Sequence, residues 1–236
     1  MLVSIVICSN NSADTLDGAV YSALLQDFPS DEYEVIQVDD GSTDATVELA
    51  SAYGKKHHNF RYVRLPLSLG KSAACEQGMQ TARGKYFTSL GPDDAIHPRM
   101  LAECVQPLEK GLTDITYCDY HEVALADGQH KCIRLDCFDP IGMIGRATML
   151  RLDLFRSVAG TFDVEGFDQE AYQKYILASE WQPYRIAQPL YYGCRQTSEN
   201  LAIESPALPI LAVSEKLIPT KAVDISRPYP GRILSA

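Results

Sequence analysis

Along the first hundred positions the chain repeats one arrangement: a short, largely apolar or alternating run, a polar break, then apolar residues at helical spacing. Leu2-Val3-Ser4-Ile5-Val6-Ile7 is the first such run and ends in Cys8-Ser9-Asn10-Asn11, small polar residues that suit a loop. Leu16, Ala19, Val20, Ala23 and Leu24 then recur at three and four positions, which predicts an amphipathic helix over residues 14–26. Tyr33 to Asp39 is the second run, and its β-branched Val35, Ile36 and Val38 suit a strand covered on both faces. Strand, helix and strand in this order form a right-handed βαβ unit, so the sheet begins parallel. Val47, Ala50 and Tyr53 mark a second helix, and Phe60–Leu65 reads as a third strand. Ala73, Ala74, Gly78, Met79 and Ala82 mark a third helix, with Arg83-Gly84 placed as its C-cap. Tyr86–Leu90 is a fourth strand, and a helix follows from Pro98 to Lys110.

The alternation weakens after residue 111. Ile115–Cys118 reads as a strand, residues 120–140 as a turn-rich hairpin, Leu150–Val158 and Asp168–Leu177 as helices, and Tyr184–Tyr192 as a late strand. Prolines at 206, 209, 219, 228 and 230 argue for a loosely structured tail. The expected architecture is α/β: a mostly parallel sheet flanked by helices over residues 1–112, a smaller mixed half of the same domain over 113–204, and a tail over 205–236.

Two of the strands end in acid. Val38 runs into Asp39-Asp40-Gly41-Ser42-Thr43-Asp44, and Leu90 runs into Gly91-Pro92-Asp93-Asp94. Ser42, Thr43 or Asp44 can cap the helix that follows the first pair. Open α/β sheets bind ligands outside the carboxyl ends of their strands, so both acidic loops, with Ser9 and Asn10, are expected at one edge. Hard oxygen ligands without a histidine–cysteine cluster suit Mg²⁺ or Mn²⁺, held through one or two carboxylates plus substrate phosphates. The residues therefore point to a metal-assisted site for a phosphorylated small molecule.

Charge and cysteine content narrow this. A net charge of −10 on 236 residues disfavours a nucleic-acid binder, so substrate phosphates must be held locally, by a metal or by backbone N–H groups. Seven cysteines without CxxC spacing suit free thiols in a reducing compartment. No run reaches the roughly 18 apolar residues of a membrane span. The first strand begins at residue 2, which leaves no room for a signal peptide, and a cytoplasmic protein is expected. Ile210-Leu211-Ala212-Val213 could touch the inner face of a membrane or a second subunit, giving a peripheral contact or a homo-oligomer; packing back on the domain is favoured.

The ordered series Val3–Ile7, Gln26, Val38–Asp44, Ala82-Arg83-Gly84-Lys85-Tyr86 and Leu90–Pro98 resembles the family 2 glycosyltransferases. A weaker match continues through Arg151–Phe162 to Arg195. The resemblance implies a GT-A fold and inverting transfer of a sugar from a nucleotide donor, most simply UDP-linked, to a saccharide or lipid-linked acceptor, as in cell-surface polysaccharide biosynthesis. By position, it implies that Asp40 accepts the N3–H of uracil and that Ser9 and Asn10 line the base and ribose pocket. It places Asp93 and Asp94 at the metal and diphosphate, Lys71 near the donor, and Asp168 or Glu170 as the carboxylate that takes the acceptor proton.

The chain departs from the family pattern at three places. Gly91 stands where an aspartate usually completes Asp-x-Asp, Ala171 where the usual base lies, and Thr197 where a late histidine often follows. His97 is expected to cap a helix or face solvent. These departures carry an alternative, a weak or inactive relative that binds a nucleotide or a partner protein. A nucleotidyltransferase of related fold ranks lower, because Cys8-Ser9-Asn10-Asn11 is neither glycine-rich nor basic.

Overall fold

The computed structural model describes residues 1–124, 130–135, 147–159 and 183–195. The elements follow in the order β1 (Val3–Ser9), α1 (Ala13–Leu24), β2 (Tyr33–Asp39), α2 (Thr46–Lys56), β3 (Phe60–Arg64), α3 (Lys71–Thr81), β4 (Tyr86–Leu90), β5 (Ala95–Ile96), α4 (Met100–Glu109), β6 (Ile115–Ala124), β7 (His130–Ile133), β8 (Thr148–Arg151), α5 (Leu152–Ala159) and β9 (Tyr184–Arg195). Among the described residues one sheet contains all nine strands, in the order β3-β2-β1-β4-β8-β6-β9-β5, with β7 paired to β6. The first four of that path are parallel. Antiparallel β8 then joins β4 to β6, and β9 pairs parallel with β6 and antiparallel with β5. The result is the expected α/β architecture, a parallel part continued by a mixed part.

The largely apolar runs of β1 and β2 have a direct cause. Val3, Ile5, Ile7 and Val35 point to a core layer shared with Leu16, Ala19, Val20 and Ala23 of α1 and Met100 and Leu101 of α4. Val6, Cys8, Ile36 and Val38 point to the opposite layer, against Ala74, Cys75 and Met79 of α3 and Phe155 of α5. Alternate residues thus feed two helical layers, and a strand buried on both faces has no polar side to show.

Some expectations shift. Gly84 is not a left-handed C-cap; α3 ends at an extended Ala82, and a Cβ at Gly84 would stand 2.5 Å from Ser4 N and 2.7 Å from Tyr86 O. Close backbone approach to β1 requires this glycine. The apolar stretch from Leu150 begins as strand, because Thr148–Arg151 fills the slot between β4 and β6 before α5 starts. The expected short strand at Ile115 extends to Ala124 and pairs with β7, so a hairpin lies in the turn-rich region. β5 has two residues, too few for any periodicity to reveal. The predicted helix Asp168–Leu177 and the tail from 205 lie outside the described residues. Among the described residues no helix is long and apolar enough to cross a membrane.

Candidate active site

β1 lies between β2 and β4, and the chain winds outward through β2 and β3 before returning across β1 to β4. That reversal opens a crevice at the carboxyl ends of β1, β2 and β4, the place where such sheets take ligands. Three loops leave the sheet at that edge: Ser9–Ser12, Asp39–Asp44 and Gly91–Asp94.

The first two are stitched together. Asn10 Nδ2 donates to the Asp40 carbonyl at 2.5 Å, and the Asp40 N–H donates to the Ser9 carbonyl at 2.8 Å. Asn11 adopts φ 48°, a left-handed value that asparagine tolerates better than most residues. Its N–H donates to Ser42 Oγ at 2.8 Å, and its Oδ1 accepts the Thr43 N–H at 2.8 Å. Asp44 serves two helices: Oδ2 accepts from Ala13 N at 3.0 Å and Oδ1 from Thr46 N at 3.1 Å. Burial raises its pKa, but these hydrogen bonds outweigh burial and hold it below the usual value. None of the three expected residues is the N-cap of α2, which is Ala45; Asp44 stands one position before it and still takes the Thr46 N–H.

The adjacent carboxylates Asp39 and Asp40 do different work. Asp39 is fully buried; it accepts from Ser42 N at 3.0 Å and from the Tyr62 hydroxyl at 2.9 Å, with Arg64 Nε at 3.5 Å. Burial and this hydrogen bond push the Tyr62 phenol up to about 12. Asp39 is thus committed to holding β2 against β3. Asp40 instead reaches the segment after β3. Its Oδ2 accepts from Ser68 Oγ at 2.8 Å and Gly70 N at 2.9 Å, and its Oδ1 from Leu69 N at 2.7 Å. Gly41 makes this possible, because a Cβ there would stand 2.7 Å from Ser68 N and 2.8 Å from Leu67 C. Among the described residues Oδ1 accepts one hydrogen bond, so it keeps capacity for another donor.

Ser9 is buried, its Oγ accepting from Gln37 Nε2 at 2.7 Å, whereas Asn10 is exposed. Lys71 is the exposed first residue of α3, and its charge acts on Cys75 and Cys8. In the third loop Asp94 is 2% exposed, its Oδ2 accepting from the Tyr191 hydroxyl at 2.6 Å and its Oδ1 from Cys194 N at 2.8 Å. A Cβ on Gly91 would meet the Asp94 carboxylate, and Asp93 Oδ1 at 3.0 Å. The volume a side chain at 91 would need is therefore filled by Asp94, which turns inward to grip β9. Asp93 is half-buried in the same loop. His97 Nδ1 accepts from Arg99 N at 3.2 Å, in the turn just before α4. Among the described residues no group of three or more His, Cys, Asp or Glu is placed to hold a metal ion. Asp93 does fit a cation that completes its shell with phosphate oxygens, the usual habit of Mg²⁺.

Ser9, Asn10, Asp40, Lys71, Asp93 and Asp94 all stand at or beside this rim. Asp168 and Glu170, and the departures Ala171 and Thr197, lie outside the described residues. Pattern reading missed Ser68, Leu69 and Gly70 as partners of Asp40. Two of these act through backbone N–H groups, which leave no side-chain signal; the glycine just before a helix was the available hint. It also missed Tyr191 and Cys194, which reach Asp94 from 97 and 100 positions away.

The family model for glycosyl transferase family 2 matches residues 4–132. Similar curated proteins include a cholesterol galactosyltransferase of Borreliella burgdorferi, 32% identical over 52% of this chain and 34% of that one. A poly(ribitol-phosphate) beta-glucosyltransferase of Bacillus spizizenii is 32% identical over 49% of this chain and 18% of that one. The matched regions thus span about a third of the first relative's length and under a fifth of the second's. Among solved structures, S. aureus TarS 1-349 in complex with UDP-GlcNAc superposes with a TM-score of 0.71 at 20% identity, covering 86% of this chain and 62% of that one. The mannosyltransferase PcManGT from Pyrobaculum calidifontis, in complex with GDP-Man and Mn²⁺, gives 0.64 at 16% identity, covering 83% and 57%.

Proposed function

Since the chain belongs to glycosyl transferase family 2 and has the GT-A fold, we propose that its crevice binds a nucleotide-sugar, UDP-linked, and passes the sugar with inversion to a saccharide or lipid-linked acceptor. The observation that carries this reading is Asp40. It is a carboxylate fixed by three donors at the switch point of the sheet, with acceptor capacity left on Oδ1. An acceptor so placed suits the imide N–H of uracil. Ser9 and Asn10 frame the base and ribose. Lys71, at the start of α3, brings a cation and a helix N-terminus toward the diphosphate.

Asp93 is the carboxylate of its loop available to Mn²⁺ or Mg²⁺, with Asp94 behind it. A bound cation there supplies compensation for the charge that grows on the departing diphosphate. The base that takes the acceptor proton is assigned to Asp168 or Glu170, on the motif resemblance alone. A lipid and a polymer are the acceptor classes suggested by the names of the two relatives.

Calorimetric titration of UDP, GDP and ADP, each with and without Mn²⁺, tests this. UDP is expected to bind best, and a saturating hundredfold excess over Kd should add about 2.7 kcal/mol to thermal stability. Asp40→Ala should weaken UDP at least about tenfold, the loss of roughly 1.4 kcal/mol, and Asp93→Ala should remove the Mn²⁺ dependence. UDP affinity unchanged in both variants would overturn the site assignment. One observation favours a second reading, a relative that binds without turnover: Asp94 occupies the space of a side chain at 91. UDP binding with no hydrolysis or transfer of any UDP-sugar would select it.

A further inference from the structure

Cys8 near the end of β1 and Cys75 on α3 are free thiols whose Sγ atoms lie 2.7 Å apart. They stand 67 positions apart in sequence and meet because α3 packs on β1. The proposed transfer uses neither. Sulfurs in a disulfide are about 2.05 Å apart, so a bond between these two needs a closure of under about 1 Å.

Their surroundings make the two unequal. The hydrogen bond with Cys8, and Lys71 one turn before Cys75 on the same helix, hold the Cys75 thiol below the usual thiol range against the opposing effect of burial. The same hydrogen bond, with burial, pushes Cys8 well above it. Cys75 is thus the thiolate end of the pair and Cys8 the end that keeps a proton. Cys8 and Cys75 keep 6% and 4% of their surface exposed, so neither residue is wholly closed off. Cys104 and Cys118 form a second interacting pair but are both 0% exposed, and burial, with the hydrogen bond to Cys104, raises Cys118.

We propose that Cys8 and Cys75 are an oxidation site, a dithiol that a hydroperoxide converts to an intramolecular disulfide and that a small thiol restores. The Cys75 thiolate attacks one peroxide oxygen; the O–O bond breaks, a sulfenic acid forms on Cys75, and the released hydroxide takes the Cys8 proton as water. The Cys8 thiolate then attacks the Cys75 sulfur. The S–S bond forms, the S–O bond breaks, and the second oxygen leaves as hydroxide, protonated by solvent. Two thiols lose two electrons and one hydrogen peroxide becomes two waters. The bond ties α3 to the end of β1, beside Ser9, Asn10 and Lys71. The proposal holds whether or not the crevice takes a nucleotide.

The full chain is treated with hydrogen peroxide, alkylated, digested with trypsin without reduction and analysed by mass spectrometry. The expected product links Met1–Lys55 to Ser72–Arg83 and disappears with dithiothreitol. Peroxide should consume Cys75 at least about tenfold faster than Cys104 or Cys118, as thiolate character dictates. In Cys8→Ser the link is lost and a dimedone adduct appears on Cys75; in Cys75→Ser no adduct appears on Cys8. Recovery of the two wild-type peptides separately, with both thiols alkylated or with Cys75 as sulfinic acid and Cys8 free, overturns the proposal without reliance on either variant.

Discussion

Glu34 carries a large share of the order at the rim opposite the crevice. Buried at 1% exposure, it accepts from Ser4 Oγ at 2.8 Å, Arg83 N at 2.7 Å and Arg61 at 2.7 Å. Glu34→Ala strands the donors of three segments, and urea unfolding should show a loss of about 3 kcal/mol. Tyr191→Phe removes the hydroxyl from the buried Asp94 carboxylate, and the same measurement should show about 2 kcal/mol. His121 provides a pH test. Its ring stacks on Tyr192 at 5.2 Å, its Nδ1 is buried with no hydrogen-bond partner among the described residues, and burial, then His130, lowers its pKa. The fold therefore prefers the neutral ring, while the unfolded chain takes a proton at the ordinary histidine value. This contribution is present above that value and is lost as pH falls through the lowered folded one. Tm should fall on acidification below neutrality, less steeply in His121→Gln. The positions of Asp40 and Asp93 just past strand ends were legible in the sequence, because an acid shortly after an apolar run marks the sheet rim. Ser68–Gly70 and Tyr191 were not, because their roles depend on long-range approach.

At the scale of elements, the parallel part was legible nearly residue for residue. Its inner strands β1, β2 and β4 are buried twice and its helices once, and each condition writes its own apolar period. The mixed part was harder to read. The helical spacing after Leu150 hides β8, β5 is two residues long, and β6 continues through the polar Asp119-Tyr120-His121 with shifts in register. The glycines mark where elements touch. At Gly78 an added Cβ would meet Val6, and Val38 Cγ2 at 3.2 Å, side chains held by the core. Gly78→Ala should cost about 2 kcal/mol by chemical denaturation. Gly84→Ala should cost at least about 3, because its Cβ meets backbone, which cannot turn aside.

The whole molecule carries a formal charge of −10, with lysine and arginine outnumbered 21 to 31 by acids. A nucleotide diphosphate approaching such a field is repelled at long range, and salt screens that repulsion. If the crevice takes UDP, stopped-flow association should speed up as salt rises from about 0.01 to 0.15 M, where the Debye length shrinks from about 30 to 8 Å. A binder of extended polyanions would show the opposite slope. The ends of the sheet carry a further consequence. The path closes on one side with β3, whose Arg61 and Arg64 fold back onto Glu34 and Asp39, and on the other with a β5 of two residues. The β3 border, with these two charged side chains, offers no apolar template, so stacking of one molecule on the next by backbone pairing through it is opposed. The protein should resist fibrillar aggregation at high concentration, and replacing Arg61 and Arg64 together with valine should expose that tendency.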